Sequence, residues 1–396
     1  RHFYLPFICS NLLSRRQLHK TYLLMKSSSL LFALIPLFLS NFLIAQGINV
    51  PVSEKAKINF SGMIQTQFNY SLDNDIDITG KHHTGSEHFS RNSFSVKRAR
   101  VQVNAVINER INAVMLVNFG DFTGNPQNKV LENAYIKYSI NDYVNFQFGQ
   151  FRPQFGQEDN YPVDFVRSID YSNQYYLFGS NSWQSFQIGA SYFGEIKNMI
   201  VPIKYAIGVY NGNNRNQVGD NDDGKIVPAR LVFGLGKHTE LGISGGAGKN
   251  MGQKIWAYGA DVDYKKKLNE KWDIEFVSEY KQGINSVAYF AQEDLVAPIN
   301  RYAMRGVYLQ PNIGYSFKNV RLKKMEFAFR YEYLDADFKQ EGNARQSYIP
   351  MVSASFAEAY AIRVQVGYLI DRYQRNIPNT NQYNTDRIIC QVQARF

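Results

Sequence analysis

What the sequence lacks narrows it first. Beyond the first fifty residues no apolar run approaches the roughly 20 residues that a membrane helix needs, and mean hydropathy is negative, at −0.35. There are two cysteines, Cys9 and Cys390. Cys9 precedes the expected leader, so the mature chain keeps one thiol and an intrachain disulfide is excluded. Cys390 falls on the apolar face of the last expected strand, as a small hydrophobe. Histidine is scarce at six residues. A hydrolase needs a base beside its nucleophile, yet outside the group His82, His83 and His88 the mature chain offers His238, in a short turn, and no expected strand carries a Ser/His pair. Catalysis is not expected, and neither is a cofactor.

What the chain does have is aromatic residues, 27 Tyr and 28 Phe against 3 Trp, and a net charge of +10. A chain that is polar on average and aromatic-rich suits strands with one face in water and one in lipid. The stretch Phe94–Asp121 states this pattern most clearly. Ala99, Val101, Val103, Ala105 and Ile107 alternate with Arg98, Arg100, Gln102 and Asn104. After a turn at Asn108-Glu109-Arg110, Ala113, Met115, Val117 and Phe119 resume the apolar rhythm against Asn112 and Asn118. A period of two over about ten residues is a strand with a dry face and a wet face, of a length that crosses an outer membrane at a tilt.

The N-terminus reads as an export signal. Met25-Lys26, Ser27–Ser29, an apolar core Leu30–Leu39 and Leu43-Ile44-Ala45 before Gln46 give a charged start, a short greasy core and a small residue at the cut. Residues 25–45 are therefore expected to be a cleaved signal peptide, with 1–24 an upstream extension and Met25 the true start. Losing residues 1–45 removes five basic and no acidic residues and leaves +5. That biases a lumen toward anions and does not indicate nucleic-acid binding.

Residues 46–57 are read as a short periplasmic segment and 58–396 as one transmembrane antiparallel β-barrel of about 16 strands. Ile58–Tyr70 is the first strand, Leu131–Ile140 the fourth and Val144–Phe151 the fifth. The longest connection, Arg152–Ser182, precedes a sixth strand at Trp183–Phe193. The ninth and tenth are placed at Leu241–Gly248 and Trp256–Tyr264, and the last at Arg387–Phe396. The region 346–372 is split at Phe356-Ala357-Glu358 into two strands. Short connections alternate with long ones, the asymmetry of outer-membrane barrels. Tyr70, Trp183, Trp256 and Trp272, at strand ends, suit the membrane interfaces.

Several stretches resemble the phosphate-selective porin O/P family, particularly its members from Bacteroidetes. They are FSVKRARVQVNA (94–105), FGQFRPQFGQE (148–158), YAIGVYNG (205–212), DGKIVPARL (223–231), EYKQG (279–283) and FRYEYLDAD (329–337). They occur in order over most of the mature chain, and the closing Arg395-Phe396 is similar to the C-terminal aromatic of outer-membrane barrels. The resemblance implies a 16-stranded barrel in the outer membrane of a Gram-negative bacterium, among lipid and lipopolysaccharide. It also implies a homotrimer that passes small anions such as phosphate through an arginine ladder and loop lysines. Here the loop after Phe151 offers Arg152 and Arg167 and no lysine cluster.

Alternation points Arg98, Arg100, Lys137, Arg230, Arg330, Arg363, Arg387 and Arg395 into the lumen, where guanidinium forks suit phosphate-like anions. Asp261, Asp263, Glu275, Glu279, Glu326 and Glu332 face the same way, so the wall is either an anion-biased surface or a mixed-charge one that keeps the pore wet. Arg330 and Glu332, two apart on one face, are candidates to pair. The long loop, with Arg152, Asp159, Asp164, Arg167 and Asp170, either folds inward as a constriction or packs outside. The histidine group with Glu87 matches no standard metal spacing and is read as solvated. Asp220, Asp222 and Gly224 make a fragment of a calcium loop without its closing glutamate, read as a turn. The functional expectation is a passive diffusion channel for small hydrophilic solutes favouring anions, the alternative a binding or adhesion barrel with a blocked lumen.

Overall fold

The computed structural model describes residues 49–396 apart from 52–55, 86, 123–129, 218, 319–320 and 341. The expected extension, signal peptide and cut lie outside the described residues. Sixteen strands follow one another: β1 Lys57–Ser71, β2 Asn92–Val106, β3 Ile111–Asn118, β4 Leu131–Ser139, β5 Asn145–Phe151, β6 Gln187–Ile196, β7 Ile203–Tyr210 and β8 Ile226–Leu235. The second half is β9 Thr239–Asn250, β10 Gln253–Lys267, β11 Trp272–Ile284, β12 Ala303–Ser316, β13 Lys324–Asp335, β14 Arg345–Ser355, β15 Ile362–Tyr373 and β16 Thr385–Arg395. Each pairs antiparallel with its neighbours in sequence, and β16 pairs with β1 through Gln391↔Gln67 and Gln393↔Gln65. The sheet thus closes into a barrel and leaves no ladder unpaired around the ring.

The seam is completed by the last residue. Gly62 N donates to Phe396 O at 2.6 Å, and Phe396 N donates to Gly62 O at 2.9 Å. The Phe396 ring lies where a Cβ on residue 62 would stand, so glycine makes room for it. Below the end of β16, Asn49–Pro51 pairs with Lys57–Asn59 and covers the edge of β1 that β16 no longer reaches.

Alternation sorts the faces. Val101, Met115, Ile136, Phe148, Ile243 and Phe327 are exposed on the outer wall. The residues between them face inward, where a polar lumen and three apolar clusters take them up. Two β-bulges interrupt the rhythm. Gln65 opposes Arg98 but Thr66 opposes Val96, so Lys97 is the extra residue and joins Arg98 on the inner face. Leu116 opposes Asn133 but Val117 opposes Leu131, which leaves Glu132 as the extra residue, also inward. A bulge inserts one residue and re-aims a side chain. Here each one brings a charge into the lumen.

Connections at one end of the barrel are short, such as 107–110 and 236–238, and those at the other are mostly long, such as 72–91, 152–186 and 285–302. One long-end connection breaks that rule. The expected gap between the ninth and tenth strands is instead a continuous ladder through Asn250↔Gln253. Met251 and Gly252 turn it with φ 48° and 76°, a mirror-image turn whose twist matches the strands.

Candidate pore and its inner loop

The connection 152–186 folds into the barrel and touches walls on opposite sides. It contains the short helix α1, Asn173–Ser180, started by Ser172, whose hydroxyl accepts from Tyr175 N at 3.2 Å. Phe178 and Trp183, both fully buried, pack with Phe155, Tyr210, Ile226, Ile255 and Met304 on the β7–β12 side. Ile169 packs with Ala328, Ile349 and Met351 on the β13–β14 side. Wall glycines make the sockets: Gly246 lies under Trp183 and Gly306 under Gln174. Trp183 is therefore not an interface residue of a sixth strand. That strand starts at Gln187, because the indole gains more contact in the glycine socket than on the outer wall. Trp272 does stand at the short-turn end, edge-on to Tyr315 at 4.8 Å.

Charges hold the loop as reciprocally as the apolar contacts do. Its acids meet basic walls: Asp170 takes Arg98 at 2.7 Å and Lys97 at 3.0 Å, and Asp164 takes Arg395 at 2.9 Å. Its Arg167 meets an acidic wall, at 2.9 Å from Asp273, 2.7 Å from Glu275 and 3.5 Å from Glu326. Its backbone is held too, since Arg330 donates to Asp170 O at 2.7 Å and Arg363 to Val166 O at 2.8 Å. A ladder of wall glutamines (Gln65, Gln67, Gln365, Gln391 and Gln393) lies buried beneath it. Gln365 and Gln393 donate to loop carbonyls at Arg167, Ser168 and Asp164.

The lumen-facing arginines do not form an open row. Arg230 forks onto Asp261 at 2.5 and 2.9 Å, Arg330 sits 2.5 Å from Glu332, and Arg387 donates to Asp371 at 3.1 Å. Arg363 is fully buried and Arg100 pairs with Glu132 at 2.8 Å. Lys137 alone of the eight stands on a cleared part of the wall, 5.2 Å from the Phe193 ring centroid. The physical reason is desolvation: a cation covered by the loop keeps its charge only where a carboxylate or carbonyl replaces water. Lys281, fully buried between Glu279 and Gln184, obeys the same rule.

The wall of β2–β6 is less covered. Gln102, Asn104, Asn112, Tyr135, Lys137 and Gln147 stay half-exposed on its lumen face. Beside the inner loop this wall gathers five bases and three acids. Lys97 and Arg98 hold Asp170, and Arg100 holds Glu132. Arg215, from the connection 211–225, sits 2.9 Å from Asp121 and 3.8 Å from Glu132. Arg152 donates to Tyr171 Oη at 2.7 Å and lies over the Phe186 ring, which Arg215 also approaches. Lys97 and Arg215 are the bases that the sequence did not single out, and Asp121 and Glu132 are the acids. A bulge hides Lys97 from a period-two reading, and Arg215 lies in a polar loop with no periodic signal.

Two loop carboxyls are shifted. Burial pushes Asp159 up to about 7; Arg152 and the Gln184 amide, which donates at 3.0 Å, pull the other way without prevailing. Burial also raises Glu158, against Lys281 and Arg330 and the two bonds it accepts from Ser172. Asp170 is held well below the carboxylate range, since Arg98 and Lys97 outweigh its desolvation.

Among the described residues no group of three or more His, Cys, Asp or Glu is placed to hold a metal ion. His82 and His83 are not solvated as expected. His82 stacks on Tyr383 at 3.9 Å and meets Asp75, while His83 stacks on Phe89 at 4.3 Å and meets Asp77. His82 ties the connection 72–91 to 374–384, its Nδ1 accepting from Asn379 N at 3.3 Å, while His83 braces 72–91 from within. Asp222 accepts from Gly224 N at 2.7 Å and from Met251 N, as a turn.

Known proteins bear on this geometry. The model of the family "Phosphate-selective porin O and P" matches residues 64–176, from β1 through most of the inner loop. No curated protein matches the chain. Among solved structures the outer membrane channel DcaP of Acinetobacter baumannii is similar at TM-score 0.56 and 15% identity, covering 89% of this chain and 100% of that one. An anion-selective porin from Comamonas acidovorans gives 0.55 and 8%, with 86% and 100% covered. OmpT of Vibrio cholerae, in a trimer form, gives 0.55 and 11%, with 87% and 100% covered. At these identities the structures speak for the fold. With the family match over residues 64–176, a closed ring of sixteen strands and a loop folded into its lumen, this chain is an outer-membrane porin of a Gram-negative bacterium, a channel and not an enzyme.

Proposed function

We propose that the channel passes small hydrophilic solutes by passive diffusion and favours anions, phosphate among them. The observation that carries this is the charge cluster beside the inner loop, where Lys97, Arg98, Arg100, Arg152 and Arg215 gather with Asp121, Glu132 and Asp170. That ring holds two more positive than negative charges. Size exclusion comes from the loop 152–186, and charge bias from the surplus bases in a low-dielectric constriction. Guanidinium groups offer an entering oxyanion two donors at once. Because each base is already shared with a carboxylate or a ring, the solute is held weakly and released quickly, as conduction requires.

Membership of the phosphate-selective porin O/P family over the whole chain, among its Bacteroidetes-type members, is supported by the ordered motifs beyond residue 176. Assembly as a homotrimer is supported by the trimer form of OmpT. The test is planar-bilayer recording in a salt gradient. Discrete steps with an anion-directed zero-current potential are expected, and Lys97→Glu with Arg215→Glu should move that potential toward cations. An unchanged potential removes the ring from the mechanism, and an absence of steps favours the adhesion barrel.

A further inference from the structure

Below the inner loop, on the β7–β9 wall away from the basic ring, lies a recess of about 230 Å³. It is lined by Gln154, Gln157, Asn160 and Tyr161 of the loop and by Lys204, Tyr205, Arg230, Val232 and Glu240 of the wall. Its volume is below the roughly 300–1,000 Å³ of clefts for drug-sized ligands and equals the share of about seven or eight liquid waters. We infer that this recess is a binding site for a neutral, monosaccharide-sized polyol on its way through the pore.

The charges of the recess are already cancelled. Lys204 Nζ lies 2.6 Å from Glu240 Oε1, and Arg230 is forked onto Asp261. An anion gains there only by breaking one of these pairs, and a cation faces the same cost. A sugar does not have to separate them. Adjacent ring hydroxyls, one donating to Glu240 and one accepting from Lys204, lie alongside the pair and leave both charges in place.

The amides are arranged for the same guest. Gln157 is committed, its Oε1 accepting from Arg230 at 3.0 Å and its Nε2 donating to Asp263 at 2.9 Å, so it forms a fixed floor. Asn160 Nδ2 donates to Gly156 O at 3.0 Å, which orients its carbonyl oxygen. Among the described hydrogen bonds, that oxygen and the Gln154 amide have no protein partner. Arg230, 3% exposed, keeps a buried Nε without a partner. Donors and acceptors are thus interleaved, with no net charge, beside the apolar surfaces of Tyr161, Tyr205 and Val232. Hydroxyl groups match such a surface, because each gives one bond and takes others. A site built to bond hydroxyls rejects molecules that lack them.

The inference goes beyond anion permeation and fails separately from it. The experiment is current-fluctuation analysis of the full-length channel in potassium chloride, with D-glucose added, then glycerol, then inorganic phosphate. Glucose should interrupt the current saturably, glycerol should act at several-fold higher concentration, and phosphate should leave this signal absent. Asn160→Ala and Gln154→Ala, which change no charge, should each raise the half-saturating glucose concentration at least fivefold with the zero-current potential unchanged. A fall in current that never saturates and merely follows solution conductivity would overturn the site, as would phosphate block that both variants weaken. Circular dichroism and unaltered open-channel conductance establish that each variant has kept the barrel and loop.

Discussion

Trp183 stands over Gly246: a Cβ built on residue 246 would meet the indole Cζ3 at 2.5 Å. The barrel wall is therefore cut to receive the inner loop, and the loop's position is written into the wall. Gly246→Val should overpack that socket, at a cost of about 1–3 kcal/mol, and lift Trp183. Tryptophan fluorescence should shift to the red, proteases should reach 152–186, and single-channel conductance should rise. A variant with unaltered fluorescence and conductance would show that the socket does not hold the loop.

Arg167 is the loop's answer to three wall carboxylates. Its removal in Arg167→Gln leaves Asp273, Glu275 and Glu326 facing each other with Lys265 and Lys324 as their nearby bases. Breaking one side of a buried ionic group costs about 3–5 kcal/mol. The loop should loosen on its β11–β13 side, seen as a lower thermal midpoint and noisier open current, with the zero-current potential moved toward cations.

Asp170 neutralises Lys97 and Arg98. Asp170→Asn removes one negative charge from the basic ring and should move the zero-current potential further toward anions. Because solvent fills the passage, the added shift should shrink as salt rises from 0.01 to 1 M, where the screening length falls from about 30 to about 3 Å. A shift of the same size at both salts would mean that the change acts through the shape of the loop.

Asp159 gives the pore a pH dependence near neutrality. Its value in the folded protein, about 7, lies above the 3.8 of a free aspartate. Docking of the loop is thus fully favoured below pH 4 and penalised as pH rises through 7. Between pH 6 and 8 the loop gains negative charge, so anion preference should fall and current noise should rise. In the double variant Glu158→Gln, Asp159→Asn both quantities should be flat over that range.

The barrel was legible because a two-residue rhythm is local. Strands such as Ile58–Tyr70 and Val144–Phe151 could be bounded within a residue, and the inward direction of Arg98 or Arg230 followed from parity. The bulges at Lys97 and Glu132 were not legible, because one inserted residue leaves the composition of a strand unchanged and appears only in the partner's register. Whether the lumen arginines stood open or covered was hidden for another reason: it depends on contacts between residues more than a hundred positions apart, such as Arg363 with Val166. The misplacement of Trp183 arose there too, since an indole suits a membrane interface and a glycine-lined socket equally well until the socket is seen. The inward glycines Gly246 and Gly306 were the available trace. Small residues on a wet face mark places where something else comes close.

The bonds between Gly62 and Phe396 join two positions more than three hundred residues apart. The cylinder cannot shut until both are in place, so its closure waits on a contact that no local folding step supplies. Replacing Phe396 by alanine would take away the ring that fills the space over Gly62, and the defect would show in assembly yield before it showed in permeability.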